Sequence, residues 1–446
     1  MTDLGARSEG RELLALAAPI ILVQTGGMLM GVVDTIMVGR LSDVALASVA
    51  IGNAVSISLI FFGIGALFAL NTIISQAHGA GDHGSISASL QQGPALALLI
   101  SLPIMGILWE TEPILRALGQ QSEVTPIAAA YIRGLVPGVI GHLLYASTRQ
   151  CLQGVGVVRP ILFAVIAGNI VNLCLNWVFI FGNLGAPALG AAGSAYATSM
   201  SRWVMLGVLL LVSRGVFAPW WQGFDKRVLA FGDYRRILRI GLPIAVQVCL
   251  ELWVFTTTAV LMGNLGIVEL AGHQIALSVA ALSFQVPLSI GLAATTRVGN
   301  AIGRQDMPAA RRVAALAIIY GTAIMVVSAL AFAIFPRRLA AIYTDQPEVI
   351  TMAATLLPIA ALFQLFDGAQ AVGSGILRGI ADTRIPAIIA LTGYWILGLP
   401  IGWWLATSVD FGAPGLWYGL TLGLAIVSVL YGARIAVRFR TNIERA

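Results

Sequence analysis

The sequence predicts an all-α polytopic membrane protein with twelve transmembrane helices in two six-helix lobes, and three observations point to it. Hydrophobic residues make up 58% of the 446 and charged residues 10%, with a mean hydropathy of +0.89. A soluble domain carries about 25% charge, and the alternating strands of an outer-membrane barrel would give a far lower hydropathy. The apolar residues come in runs of membrane-spanning length, separated by proline, glycine and charge. Finally, the run at 13–37 returns at 237–261, with Pro19 matching Pro243 at an offset of 224 that holds without a gap for about sixty residues.

In chain order, the polar segment MTDLGARSEGRELL precedes a run too long for a signal h-region, so it reads as the start of a retained first helix. The twelve spans fall near 13–37, 44–77, 89–108, 124–147, 161–182, 191–213, 237–261, 268–299, 311–335, 348–376, 385–405 and 413–437. Charge sets the orientation. With both termini cytoplasmic, the outer side holds only Arg40, Arg116, Arg337 and Arg338. Arg133 and Arg202 lie within spans, and the rest of the 26 lysine and arginine residues, Arg149 among them, fall on the inner side. The net charge of +6 is thereby read as membrane orientation rather than nucleic-acid binding.

The longest polar interval lies between spans six and seven, where a duplication needs its joint. The division is an N-terminal lobe 1–213, a cytoplasmic linker 214–236 and a C-terminal lobe 237–446, with Trp220 and Trp221 as interfacial anchors. The repeat continues beyond the first helix pair. ISQAHGAGD (74–82) aligns with VGNAIGRQD (298–306), QGVGVVRP (153–160) with RGIADTRIP (378–386), and GAAGSAY (190–196) with GAPGLWY (412–418). Six spans per copy is an even number, so both copies enter from the same side. The repeat is then parallel, with a pseudo-twofold along the membrane normal.

Polar groups inside the spans are the functional candidates. The first half holds Gln24, Asp34, Asn53, Asn71, Asn169, Asn172, Asn176 and Thr198. Asn169, Asn172 and Asn176 share one helix face. That face meets protein or a water-filled cavity, as a hydrogen-bond ladder worth ~0.6 kcal/mol per bond or as a binding stripe serving the acid of the same lobe. A carboxylate in hydrocarbon costs at least ~2.5–3.5 kcal/mol, so Asp34, Glu251 and Asp367 each need a reason. Left unpaired, such a group holds a proton, or a cation where oxygens surround it. The bland reading of Asp34 is a fixed salt bridge to Arg40 or Arg133; for Glu251 and Asp367 no base is evident in the second-half spans. Gln24, Asn53 and Asn169, with Phe363 and Gln364 on span ten, are candidates for a substrate cavity. Pro19, Pro137, Pro243, Pro287, Pro358 and Pro400 interrupt helices. Gly27 and Gly31 have the spacing of close helix packing. Cys151, Cys174 and Cys249 read as packing residues, and the four histidines show no metal-ligand spacing.

VDTIMVGRL (33–41), SQAHGAGD (75–82), QGVGVVRP (153–160), the helix carrying Glu251 and FDGAQAVGSGILRGIADTR (366–384) together resemble multidrug and toxic compound extrusion transporters of the NorM-like branch, over nearly the full length. The resemblance implies two lobes that alternate access and export cationic or amphipathic drugs in exchange for Na⁺ or H⁺. It implies a first-lobe cation or proton site of Asp34, Asn172, Asn176 and Thr198, and a second-lobe site of Glu251 and Asp367. Another branch carries an acid where this chain has Asn176, and some NorM-like members carry tyrosine where it has Phe363.

The expected function is therefore secondary antiport in a bacterial cytoplasmic membrane. No cofactor is expected, nor a metal beyond a transported Na⁺. The partners are small cationic or amphipathic compounds and the lipid bilayer, with no nucleic acid, and the chain is taken as a monomer. An ATP-driven pump is excluded, because the only lysine, Lys226, follows Asp225 rather than the glycine of a phosphate-binding loop. Two alternatives stay open: a lipid-linked saccharide flippase of the same superfamily, and a membrane-embedded protease of the GxGD type on Gly79–Asp82. A helix-to-loop cap explains both copies of that motif better.

Overall fold

The computed structural model describes the chain except residues 1, 118, 120–122, 221–222, 224–230, 442 and 446, together with the side chains of 2–7, 231 and 233. Trp221 and eight other residues of the expected linker, 222 and 224–230, lie outside the described residues. Among the rest there is no strand, and twelve helices are long and apolar enough to cross a membrane. They are α1 (Ser8–Gly39), α2 (Asp43–Gly79), α3 (His83–Trp109), α4 (Val124–Gly154), α5 (Arg159–Phe181), α6 (Gly190–Trp220), α7 (Tyr234–Leu265), α8 (Ile267–Gly303), α9 (Met307–Ile334), α10 (Pro347–Gly379), α11 (Arg384–Thr407) and α12 (Ala413–Arg438). Helices are the form such runs take, because hydrocarbon offers backbone groups no partner but their own segment. Several overrun the apolar pattern: α4 continues through Arg149 and Gln153 to Gly154. Hydropathy stops at the first polar residue, whereas backbone hydrogen bonding does not. The three cysteines are free, with Cys151 and Cys249 buried and Cys174 exposed.

The duplication is visible bond by bond. After α2, Gly81 takes a positive φ of 68°, and Asp82 N–H donates to the Ala77 carbonyl at 2.9 Å. After α8, Gln305 takes 60° and Asp306 N–H donates to the Ala301 carbonyl at 2.9 Å. Both aspartates then cap the next helix: Asp82 Oδ1 accepts from Ser85 N–H at 2.9 Å and Asp306 Oδ1 from Ala309 N–H at 3.0 Å. The aspartate of the Gly79–Asp82 motif is thus an N-cap in both copies. The next pair repeats the pattern, with Gly156 at φ 78° and Ala381 at 58°. A left-handed conformation costs a residue with a Cβ about 1–2 kcal/mol, and glycine almost nothing. Ala381→Gly is therefore expected to raise the thermal unfolding midpoint in detergent, by a stabilisation of up to about 1 kcal/mol. An unchanged or lower midpoint would count against strain at this turn.

The chain separates into two compact units: Leu22–Ala245, and Met1–Ile21 with Val246–Ala446. The cuts fall at repeat-equivalent places in α1 and α7, so each copy's first helix begins in one unit and ends in the other. They differ in that way from the sequence-level division 1–213, 214–236 and 237–446. In the first unit, a Cβ on Gly65 of α2 would lie 2.6 Å from Ala245 Cα, and one on Gly241 would strike the Ala66 carbonyl. In the second, Arg297 of α8 pairs with Glu9 and Glu12 of α1 at 2.5 Å each.

Within the second unit, α8 and α10 cross at glycine. A Cβ on Gly375 would run into the Gly291 carbonyl, and Thr295 Oγ1 donates to the Gly375 carbonyl at 2.8 Å. Gly375→Ala is expected to destabilise by about 1–3 kcal/mol, the usual cost of overpacking. Thermal unfolding would show this, and an unchanged midpoint would argue against so tight a crossing. The middle of α11 is a π-helical turn, Leu391–Gly398, just before Pro400. Proline has no N–H to donate and crowds the carbonyl four residues back, and the wider turn relieves both.

Candidate coupling sites

In the first unit, Asp34 of α1 is 5% exposed and meets three side chains from α5 and α6. Its Oδ1 accepts from Asn176 Nδ2 at 2.6 Å, and its Oδ2 from Thr198 Oγ1 at 2.8 Å. Asn176 Nδ2 also donates to Asn172 Oδ1 at 3.1 Å, and Asn172 Nδ2 to Thr198 Oγ1 at 3.3 Å. The four residues close a ring in which every donor is neutral. Asn176 Oδ1 is buried and accepts no hydrogen bond, which leaves one oxygen open to a proton donor or a hard cation. The expected alternative, a salt bridge from Asp34, does not form with Arg133. That guanidinium pairs with Glu112 at 3.1 Å and is 42% exposed.

The asparagine stripe is split between two tasks. Asn172 and Asn176 serve Asp34, whereas Asn169 Nδ2 donates to the Gly26 carbonyl at 3.0 Å and the Val165 carbonyl at 2.9 Å. The packing glycine on this side of α1 is Gly26, whose Cβ would lie 2.6 Å from Val165 Cγ1. A Cβ on Gly27 or Gly31 would meet nothing within 4 Å, so the expected close contact at those two glycines is not found. Spacing shows that two glycines share a face, but not whether a helix lies opposite. Asn53 Oδ1 accepts from Tyr131 Oη at 2.9 Å, and Gln24 Oε1 accepts from Arg149 Nη2.

In the second unit, Glu251 of α7 accepts at Oε1 from Gln247 Nε2 at 2.9 Å and Gln370 Nε2 at 2.7 Å. Asp367 of α10 is buried, makes no hydrogen bond among the described residues, and lies within electrostatic range of Glu251. Arg378 is also buried and acts on Glu251. This departs from the expectation that no base stood near, since Arg378 lies on the same helix as Asp367. One turn from the carboxylates, Phe363 packs edge-on against Phe255 at 6.1 Å and Trp417 at 5.6 Å between ring centroids. Gln364 Nε2 donates to Ser283 Oγ at 2.6 Å.

Sequence reasoning missed Gln247 and Gln370. Their signal is helical spacing: Gln247 lies four residues before Glu251 on one helix, and Gln370 three after Asp367 on another. Among the described residues, no group of three or more His, Cys, Asp and Glu gathers that could hold a metal ion.

Twelve spanning helices, an internal duplication and a buried acid site in each unit define a multi-pass membrane transporter rather than an enzyme. The MatE family model matches residues 19–178 and 243–404, one segment in each copy, and the chain belongs to that family. It is 36% identical to the multidrug resistance protein MdtK of Yersinia pseudotuberculosis, over 96% of this chain and 95% of that one. Among solved structures it resembles the eukaryotic MATE transporter AtDTX14, with a TM-score of 0.89, 25% identity and coverage of 97% and 96%. It also shares the fold of the Vibrio cholerae MATE transporter VcmN in the bent form, with a TM-score of 0.86, 19% identity and 98% of each chain covered.

Proposed function

We propose that the chain is a secondary antiporter of the NorM-like branch. It exports cationic or amphipathic compounds in exchange for H⁺ or Na⁺ by alternating access between lobes 1–213 and 237–446, joined by 214–236. The bias of basic residues supports cytoplasmic termini and a place in a bacterial cytoplasmic membrane. The multidrug-resistance relatives support drug export over the saccharide flippase, and the paired N-caps at Asp82 and Asp306 speak against the protease.

One observation carries the mechanism: Asp34 is buried in the span with both oxygens held by uncharged donors. A carboxylate so held makes no direct ion pair among the described residues and remains free to take up and release a cation. On the second unit, Glu251 and Asp367 share one poorly solvated place, where mutual repulsion is relieved by a proton or a cation. An ion that loads these acids from outside and leaves inside makes export downhill. One charge moved through 100 mV supplies about 2.3 kcal/mol.

The test is reconstitution of the full chain in vesicles, with H⁺ and Na⁺ gradients imposed separately and efflux of a fluorescent organic cation followed. One of the two gradients is expected to drive uphill movement of the dye. Movement that neither gradient accelerates would overturn antiport.

A further inference from the structure

Arg337 and Arg338 of the second unit have no part in either acid site. α9 ends at Ile334, and the short helix Pro336–Ala341 follows it at once. With the first turns of α10 these segments border an open cavity of about 500 Å³, whose lining includes Ile334, Phe335, Arg337, Arg338, Thr351 and Thr355. Arg338 sets its guanidinium over the ring of Phe335, with Cζ 5.6 Å from the centroid. Asp345 and Glu348 follow a few residues on, yet neither arginine pairs with an acid among the described residues.

The counterpart in the first copy is built differently. There the short helix Thr111–Ala117 likewise follows the third span, and Glu112 accepts from Arg116 at 2.7 Å and from Arg133 at 3.1 Å. The second copy has the helix without the acid, and two adjacent arginines beside a cavity. Two features of the walls select what the arginines meet. Val327, Leu330 and Ile334 are exposed and, three and four residues apart, share a face of α9 that runs from the cavity back along the span. In a bilayer an acyl chain covers such a stripe, whereas a free anion in water gains nothing from it. Exposed Tyr343, two residues beyond the short helix, is of the type that gathers at the membrane–water interface. The threonines are the second feature. Thr351 Oγ1 donates to the Pro347 carbonyl at 2.8 Å and Thr355 Oγ1 to the Thr351 carbonyl at 3.0 Å, so both hydroxyls offer the cavity lone pairs alone.

We infer that this cavity binds the headgroup of an anionic phospholipid. Arg337 and Arg338 hold the phosphodiester, the threonine oxygens accept from headgroup hydroxyls, and an acyl chain lies along Val327, Leu330 and Ile334. A guanidinium presents two parallel N–H donors in one plane, which matches two non-bridging phosphate oxygens. Phosphatidylglycerol meets each requirement, with a net negative charge and glycerol hydroxyls to donate. Phosphatidylcholine carries the same phosphate but is neutral overall, and its trimethylammonium group has no N–H and opposes the arginines.

The test uses the full chain in a neutral detergent. Native mass spectrometry reads the lipid retained from mixed micelles of phosphatidylglycerol or phosphatidylcholine with the same acyl chains. Phosphatidylglycerol is expected to be held about tenfold or more tightly, the scale set by two basic side chains near an anionic headgroup. Arg337→Gln with Arg338→Gln is expected to remove that preference, whereas Arg116→Gln, on the counterpart helix, is expected to keep it. Equal retention of the two lipids by wild type, or a preference that survives the double change, would overturn the site. Inorganic phosphate that raises the thermal unfolding midpoint as far as phosphatidylglycerol does at equal concentration would make this a free-anion site and overturn the lipid assignment. Should the double variant not fold, Thr351→Phe decides. It fills the cavity and leaves both arginines in place, and an undiminished preference there would overturn the proposal equally.

Discussion

Asp34→Asn is expected to lower the steady-state gradient of a fluorescent cation across reconstituted vesicles by about 40-fold, with insertion and folding intact. The magnitude follows from the charge that Asp34 is proposed to carry. Losing one coupled charge forfeits about 2.3 kcal/mol per 100 mV, and 1.4 kcal/mol is a factor of ten in a concentration ratio. The fold should tolerate the change, because asparagine keeps the shape and one acceptor oxygen. One of the two donors, Asn176 Nδ2 or Thr198 Oγ1, would then face an amide N–H₂ instead of an oxygen. Thr198 can rotate its hydroxyl and accept, so the ring closes again without a charge. Circular dichroism and gel filtration check the fold, and dye accumulation checks the coupling. A variant that accumulates dye as wild type does would remove Asp34 from the mechanism.

The second large effect concerns Glu251 and Asp367. Asp367→Asn alone is expected to cut gradient-driven efflux by about the same factor as the double variant Glu251→Gln with Asp367→Asn. Two acids in electrostatic contact titrate as one unit, and members of such a unit are not additive. Glu251 holds two amide donors, from Gln247 and Gln370, whereas Asp367 holds none. Removing Asp367 leaves Glu251 with its two amide donors and no second acid to repel it, so the pair no longer needs a transported cation. Rates that fall additively, each single change costing a separate factor, would show two independent sites instead of one.

Much of the first site was legible from residue types alone. An acid in hydrocarbon is costly wherever its helix points, so Asp34 announces itself, and Asn172 and Asn176 follow from their spacing. That Asn169 leaves the set was not legible, since helical period places it on the same face. Its amide is taken by the Gly26 carbonyl because α1 passes closest there. The second site was less visible. Its acids lie on helices far apart in sequence, and the amides that hold Glu251 carry no cost that would single them out. Arg149 shows the same limit from the other side. Its position near a helix end gives no sign that its guanidinium donates to Gln24 on another helix.

What the sequence alone determined is everything governed by the price of polar groups in hydrocarbon. That includes the twelve helices, the duplication and the identity of the buried acids. Tertiary structure decided which of those acids have partners and which bases are left without them. It also decided where α1 and α7 change units. The physical reason is range. Solvation cost is a property of one residue in its own helix, whereas a hydrogen bond or an unpaired charge depends on which neighbouring helix lies within about 3 Å. That is set only when the helices pack.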